Sequence, residues 1–176
     1  MDVTYCENWS FKLNGPGTVL TENEARQCWD SGEAFTAVVP GRSPDGRTAL
    51  VTVCWKRDHL GTAFPDRFGR KGLEYSFRRV DADRLFLKHV FVYEYPNEEP
   101  DLRVGKAVRR TEVTYHGEDR LTRVVTDKEA RTKEVTDYSD IDFTPNWEPV
   151  PEFGNWASVA RQDRTPSVAD DDGGTG

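Results

Sequence analysis

Apolar and polar positions alternate through most of this chain. The clearest case runs from Gly72 to Pro96. Leu73, Tyr75, Phe77 and Arg79 alternate with Glu74, Ser76, Arg78 and Val80. After the polar turn Asp81-Ala82-Asp83-Arg84, a second run places Leu85, Leu87, His89, Phe91, Tyr93 and Tyr95 at one parity. Side chains alternate across a strand with period two, so each set is expected to share a face of a β-hairpin. One face would carry several aromatic rings around a single histidine.

The same reading gives the other elements. Val3 to Leu13 is a first strand, closed by the turn Asn14-Gly15-Pro16-Gly17. Thr21 and Glu24 have capping-box spacing, predicting a short helix to about Asp30 that stops at Gly32, with Ala25, Cys28 and Trp29 as its apolar stripe. Glu33 to Val39 and Thr48 to Lys56 read as strands around a loop containing Pro44-Asp45-Gly46, with Ala49, Val51, Val53 and Trp55 on one side of the second. Arg57 to Lys71 holds Gly61, Pro65 and Gly69 and reads as a loop. Asn97 to Asp101 is an exposed connection. Val104 to Tyr115 and Arg120 to Thr126 form another hairpin, and Arg131 to Tyr138 adds a strand. The prolines at 145, 149 and 151 forbid a central strand after Phe143. There, Trp147, Phe153 and Trp156 are expected to anchor the segment over the sheet.

About eight strands and one short N-terminal helix predict a mostly β fold. We expect an antiparallel meander closed into a lipocalin-like or calycin-like barrel, or a two-layer sandwich. Residues 1–162 are expected to form one domain. The tail 163–176, rich in Asp, Gly, Ser, Thr and Pro, is expected to be disordered.

Composition makes the core economical. Only 36% of the 176 residues are apolar and 31% are charged, so nine Phe, six Tyr and five Trp must supply much of the buried area. The net charge of −7 argues against sequence-independent nucleic-acid binding. No apolar run approaches the ~20 residues of a membrane span, and no secretory leader is legible. Three cysteines are too few for a disulfide scaffold, so the cytoplasm is the expected compartment.

His89 is the sharpest candidate for chemistry, because a neutral imidazole both donates and accepts near neutral pH. Tyr75 and Tyr93 join it as expected catalytic groups, since a phenol can donate to a developing oxyanion. Phe77, Arg79, Phe91, Tyr95, Glu112 and Trp55 are the expected ligand-binding residues. Arg79 would take a carboxylate or enolate. Asp58-His59 marks a candidate barrel-mouth loop, and His116 reads as a turn residue. Three dispersed histidines do not make a zinc site, and no dinucleotide or phosphate-loop motif occurs, so neither metal nor cofactor is expected.

Two functions fit. The first is a β-barrel that binds a small hydrophobic or aromatic ligand, extended to a cofactor-independent cyclase or isomerase with His89 in its cavity. The second is a protein-binding module, such as an inhibitor, immunity or pathway accessory protein, using the charged strands and segment 143–156. A homodimer is a further expectation. A filled core with exposed aromatics would favour a partner over an enclosed ligand.

Overall fold

The computed structural model describes residues 2–164 except 42–45, 47 and 101. Much of the expected turn at Pro44-Asp45-Gly46, and the tail beyond Arg164, lie outside the described residues.

The strands are β1 (Thr4–Cys6), β2 (Trp9–Ser10), β3 (Gly15–Pro16), β4 (Val19–Leu20), β5 (Phe35–Val39), β6 (Ala49–Cys54) and β7 (His59–Pro65). They continue as β8 (Lys71–Arg79), β9 (Arg84–Glu94), β10 (Arg109–His116), β11 (Arg120–Asp127), β12 (Thr132–Tyr138) and β13 (Trp147–Pro149). The one α-helix among the described residues, α1, spans Glu22–Ser31. One antiparallel sheet takes all these strands except β2 and β3, in the order β12-β11-β10-β9-β8-β7-β6-β5-β1-β4, with β13 beside the start of β9. The meander is as expected. Its end strands, β12 and β4, do not pair with each other among the described residues, so no closed barrel is found.

Helix α1 forms where the capping box predicts. Thr21 Oγ1 accepts the Glu24 amide at 3.2 Å, and Glu24 Oε2 accepts the Thr21 amide at 2.7 Å. That second bond holds the Glu24 carboxyl below the usual carboxylate range. Gly32 ends the helix in the left-handed region at φ 79°, and a Cβ there would crowd the Lys56 amide nitrogen.

Two readings of the chain are corrected. The segment expected as a loop from Arg57 to Lys71 contains β7, which buries Leu60, Thr62 and Phe64 between β6 and β8. Gly61 and Pro65 read as loop residues. In the sheet, however, Gly61 leaves room for the His59 ring, and Pro65 sits at the strand end where the register shifts. The long first strand is instead two short pieces, β1 and β2, in different sheets.

The core lies on one face of the large sheet. Phe35, Val51, Val53, Leu60, Phe64, Tyr75, Phe77, Leu85, Leu87, Val90, Val113, Tyr115 and Leu121 belong to one buried cluster. Residues 141–164 cover this face as a strap. Trp156 packs against Trp29, Phe35 and Phe153 with ring centroids 5.8–6.2 Å apart. Val159 O accepts from Thr62 Oγ1 at 3.0 Å, and Gln162 O accepts from Tyr75 Oη at 2.9 Å. Arg164, at the start of the expected tail, is buried: its guanidinium lies over Phe77 and pairs with Glu148 at 2.6 Å, which also receives Arg161. The strap role expected for Phe153 and Trp156 is present. Trp147 instead forms β13 and stays 40% exposed.

Candidate functional site

The face of β9 changes sign at one residue. Ser76 lies opposite His89, but Phe77 lies opposite Leu87, so Lys88 has no partner on β8. This is a β-bulge, and one extra residue inverts every side chain beyond it. Leu85 and Leu87 therefore point into the core, and after the bulge Val90 and Val92 do so. His89, Phe91 and Tyr93 point to the opposite face. The expected shared face of His89, Leu85, Leu87 and Tyr75 is thus overturned, because strict alternation holds only without a bulge.

Directly opposed residues share a face, so the register maps what surrounds His89. One row crosses the sheet as Thr36, Thr52, Gly61, Ser76, His89, Thr114, Thr122 and Asp137. The next row holds Ala63, Glu74, Phe91, Glu112, Val124 and Val135. A third holds Tyr93, Arg110, Thr126 and Lys133. His59 and His116 flank the first row on the same face. All three histidines of the chain therefore lie on one face, although they are far apart in sequence.

Local hydrogen bonds order the rows. His89 Nδ1 meets Thr114 Oγ1 at 3.1 Å. Thr122 Oγ1 gives its only proton to Asp137 at 2.6 Å, so His116 Nε2, 3.1 Å away, must be the donor to Thr122. Glu112 pairs with Arg110 at 2.8 Å and Glu74 with Lys71 at 2.9 Å. The rings of His89 and Phe91 lie 5.9 Å apart and 22° from parallel; those of Phe91 and Tyr93 lie 6.5 Å apart and 16° from parallel.

Among the described residues, His59, Ser76 Oγ, His89 Nε2 and Tyr93 Oη make no hydrogen bond, and none is a sealed, unpartnered atom. Each is therefore open to a ligand. Burial lowers the pKa of His89, helped by Lys88 and opposed by Glu112, and burial likewise lowers that of His59. Both imidazoles are thereby held neutral at pH 7. Burial, with Glu74 close by, raises Tyr93 to about 12, so its hydroxyl stays a donor.

A cleft of about 310 Å³ is lined by Arg110, Thr126 and Lys128 together with the chain at Val104, Gly105 and Ala107. Arg110 and Thr126 stand in the Tyr93 row, so the aromatic stack leads toward this cleft. A second cleft, of about 520 Å³, lies elsewhere, between Trp29, Gly32, Trp55, Lys56 and Arg79.

The expected site residues divide between the faces. His89, Phe91, Tyr93 and Glu112 come together on the open face. Tyr75 and Phe77 are core residues only 1% exposed, and burial raises Tyr75 to about 12. Trp55 packs edge-on to Trp29 with centroids 5.1 Å apart. Arg79 binds Asp58 at 2.8 Å, donates to the Trp55 carbonyl and lies over the Trp55 ring. This occupies Asp58 and separates it from His59. Tyr95 donates to the Lys71 carbonyl at 2.8 Å under the Arg70 guanidinium. Sequence reasoning misses Ser76 and Thr114 as neighbours of His89. Only β7 as a strand and Lys88 as a bulge bring His59 and Ser76 into register.

Among the described residues, no three metal-ligating side chains stand close enough to hold a metal ion, and no helix is long and apolar enough to cross a membrane. Comparison with protein-family models, curated proteins and solved structures gave no match.

Proposed function

We propose that this protein binds a small, flat, anionic ligand on the open face of its sheet. The observation that carries this reading is the near-parallel His89–Phe91–Tyr93 stack, which has unpartnered polar atoms along it and leads toward the Arg110–Lys128 cleft. A flat ring would stack on Phe91 and Tyr93, where an aromatic contact adds about 0.5–1.5 kcal/mol beyond area burial. Tyr93 Oη, Ser76 Oγ and His89 Nε2 would take its polar edge. Arg110 and Lys128 would take a carboxylate or enolate oxygen at the cleft end. The cleft's volume is at the lower bound of small-molecule sites.

The same geometry carries the cyclase or isomerase reading. A neutral His89 accepts a proton, and a protonated Tyr93 stabilises an oxyanion as charge develops. The ligand of a lipocalin-like barrel would instead lie inside the sheet, and that side is occupied by Tyr75, Phe77, Trp156 and the strap.

Ligand-observed NMR with a panel of aromatic carboxylates tests the reading. Hits should lose their saturation transfer in Phe91→Ala and His89→Gln, keep it in Trp147→Ala, and leave the melting temperature of the two site variants within a few degrees of wild type. Hits indifferent to Phe91 and His89, or no hits among aromatic anions, would sink it.

A further inference from the structure

We infer that β12 is a self-pairing edge, and that two copies of this chain join through it into one continuous sheet. This goes beyond the ligand reading and does not depend on it. Strand β12 runs Thr132-Lys133-Glu134-Val135-Thr136-Asp137-Tyr138 and ends the sheet. Among the described residues its outer edge has no partner strand, and an unpaired edge is a template for another. Val135 is 58% exposed at the centre of that edge strand. Among the described residues, Lys133, Glu134 and Asp137 have no ion-pair partner, and Asp137 is held only by the Thr122 hydroxyl.

The charge pattern selects the second copy as the occupant. In a two-fold antiparallel pair centred on Val135, each Lys133 stands opposite Asp137 of the other copy, and the two Val135 side chains meet. Lys133, Val135 and Asp137 share the open face of the sheet, because they oppose Thr126, Val124 and Thr122 on β11. Both salt bridges and the valine contact therefore form on one surface, as cross-strand pairs that stabilise a ladder. Competing arrangements are worse. Moving the two-fold to residue 134 sets Glu134 against its own copy, and moving it to residue 136 leaves Lys133 without Asp137. Parallel pairing in register opposes like charges at 133, 134 and 137. The preferred pairing also joins the apolar pair Val124 and Val135 to its counterpart across the two-fold.

Sedimentation equilibrium of the full chain tests this. Wild type should show a monomer–dimer equilibrium by about 0.5 mM, the weak range expected of an interface this small. Lys133→Glu alone and Asp137→Lys alone should each raise the dissociation constant roughly tenfold or more, because both salt bridges become like-charge pairs. Mixing the two variants should restore association. In the mixed pair the glutamate introduced at position 133 of one copy meets the lysine introduced at position 137 of the other, and the native Asp137 and Lys133 meet at the second contact. Circular dichroism of each variant checks the fold, and the mixture provides a readout that misfolding cannot imitate. A wild type that stays monomeric at that concentration, single variants that dimerise like wild type, or a mixture that stays monomeric would each overturn the inference.

Discussion

The two faces of the same sheet are built by opposite rules. The core face is aromatic and covered by α1 and the strap at 141–164. Several of its polar groups are tied down, Tyr75 by Gln162, Thr62 by Val159 and Glu148 by two arginines, while Tyr115 Oη and Trp156 Nε1 are buried without a hydrogen-bond partner. The other face is a lattice of threonines, histidines and ion pairs, with four polar groups left open. Burial stabilises the first face, while on the second His59, His89, Phe91 and Tyr93 stay partly exposed. One residue, Lys88, decides which side of β9 belongs to which face.

Inserting one residue between Ser76 and Phe77, which gives Lys88 a partner on β8, is the harshest way to break this contrast. With the bulge gone, alternation from Leu85 would send His89, Phe91 and Tyr93 inward and Val90 and Val92 outward. Two valines would lose their burial, and an imidazole would enter the core unpaired. The expected loss is about 5 kcal/mol or more, enough to unfold a marginal domain. Urea denaturation and near-ultraviolet circular dichroism would report it. An insertion variant of near-native stability would show that the bulge does not set the faces.

Matched truncations measure the contrast itself. Trp156→Ala on the core face removes a side chain 2% exposed and its contacts with Trp29, Phe35 and Phe153, with an expected cost of about 3–5 kcal/mol. Phe91→Ala on the open face removes a partly exposed ring, with an expected cost of about 1 kcal/mol. Equal urea-derived losses would mean that the second face is as tightly built as the first.

Much of this architecture is legible from the chain, and the failures have physical causes. The Thr21–Glu24 box and Gly32 specify α1 because they satisfy its end groups locally. The β8–β9 and β10–β11 hairpins are legible because local alternation and turns encode them. The strand β7 is hidden because Gly61 and Pro65 weaken its local signal, and its reason to be a strand is nonlocal: the slots that Leu60, Thr62 and Phe64 fill between β6 and β8. The bulge is hidden because Lys88 reads as an ordinary polar strand residue; only the β8 register shows that it is unopposed. Those two gaps split the expected site, leaving Tyr75 and Phe77 in the core and His89, Phe91, Tyr93 and Glu112 outside it. Closure of the sheet rests on analogy alone, and local patterning says nothing about whether β12 meets β4.

The strap's end gives a smaller break. Arg164→Met keeps an apolar stem but removes the guanidinium over Phe77 and leaves Glu148, 8% exposed, with Arg161 alone. Breaking one arm of a buried pair costs several kcal/mol, and the remaining arginine limits the loss here to about 2–3 kcal/mol. Truncation after Gln162 should do at least as much damage. A chain ending at residue 162 with an unchanged melting temperature would show that Arg164 is not part of the folded body.

The smallest effect expected is on pH dependence, and it belongs to the open face. Burial pushes the folded-state pKa of His59 and of His89 below that of the unfolded chain. Between those values the unfolded chain binds more protons, so stability rises with pH. The contribution is complete above the unfolded value of about 6.5 and is lost as pH falls from there toward the depressed folded values. Both rings are partly exposed, so solvent screening should keep the total below about 1 kcal/mol. Urea midpoints at about pH 7.5 and about pH 5.5 should differ by that small amount, in a window still above the ordinary carboxylate range. His59→Gln and His89→Gln should each remove part of the slope, and the double variant should remove most of it. A slope unchanged in the double variant would place the titrating group on the other face, and a midpoint that rises as pH falls would contradict burial of the two imidazoles altogether.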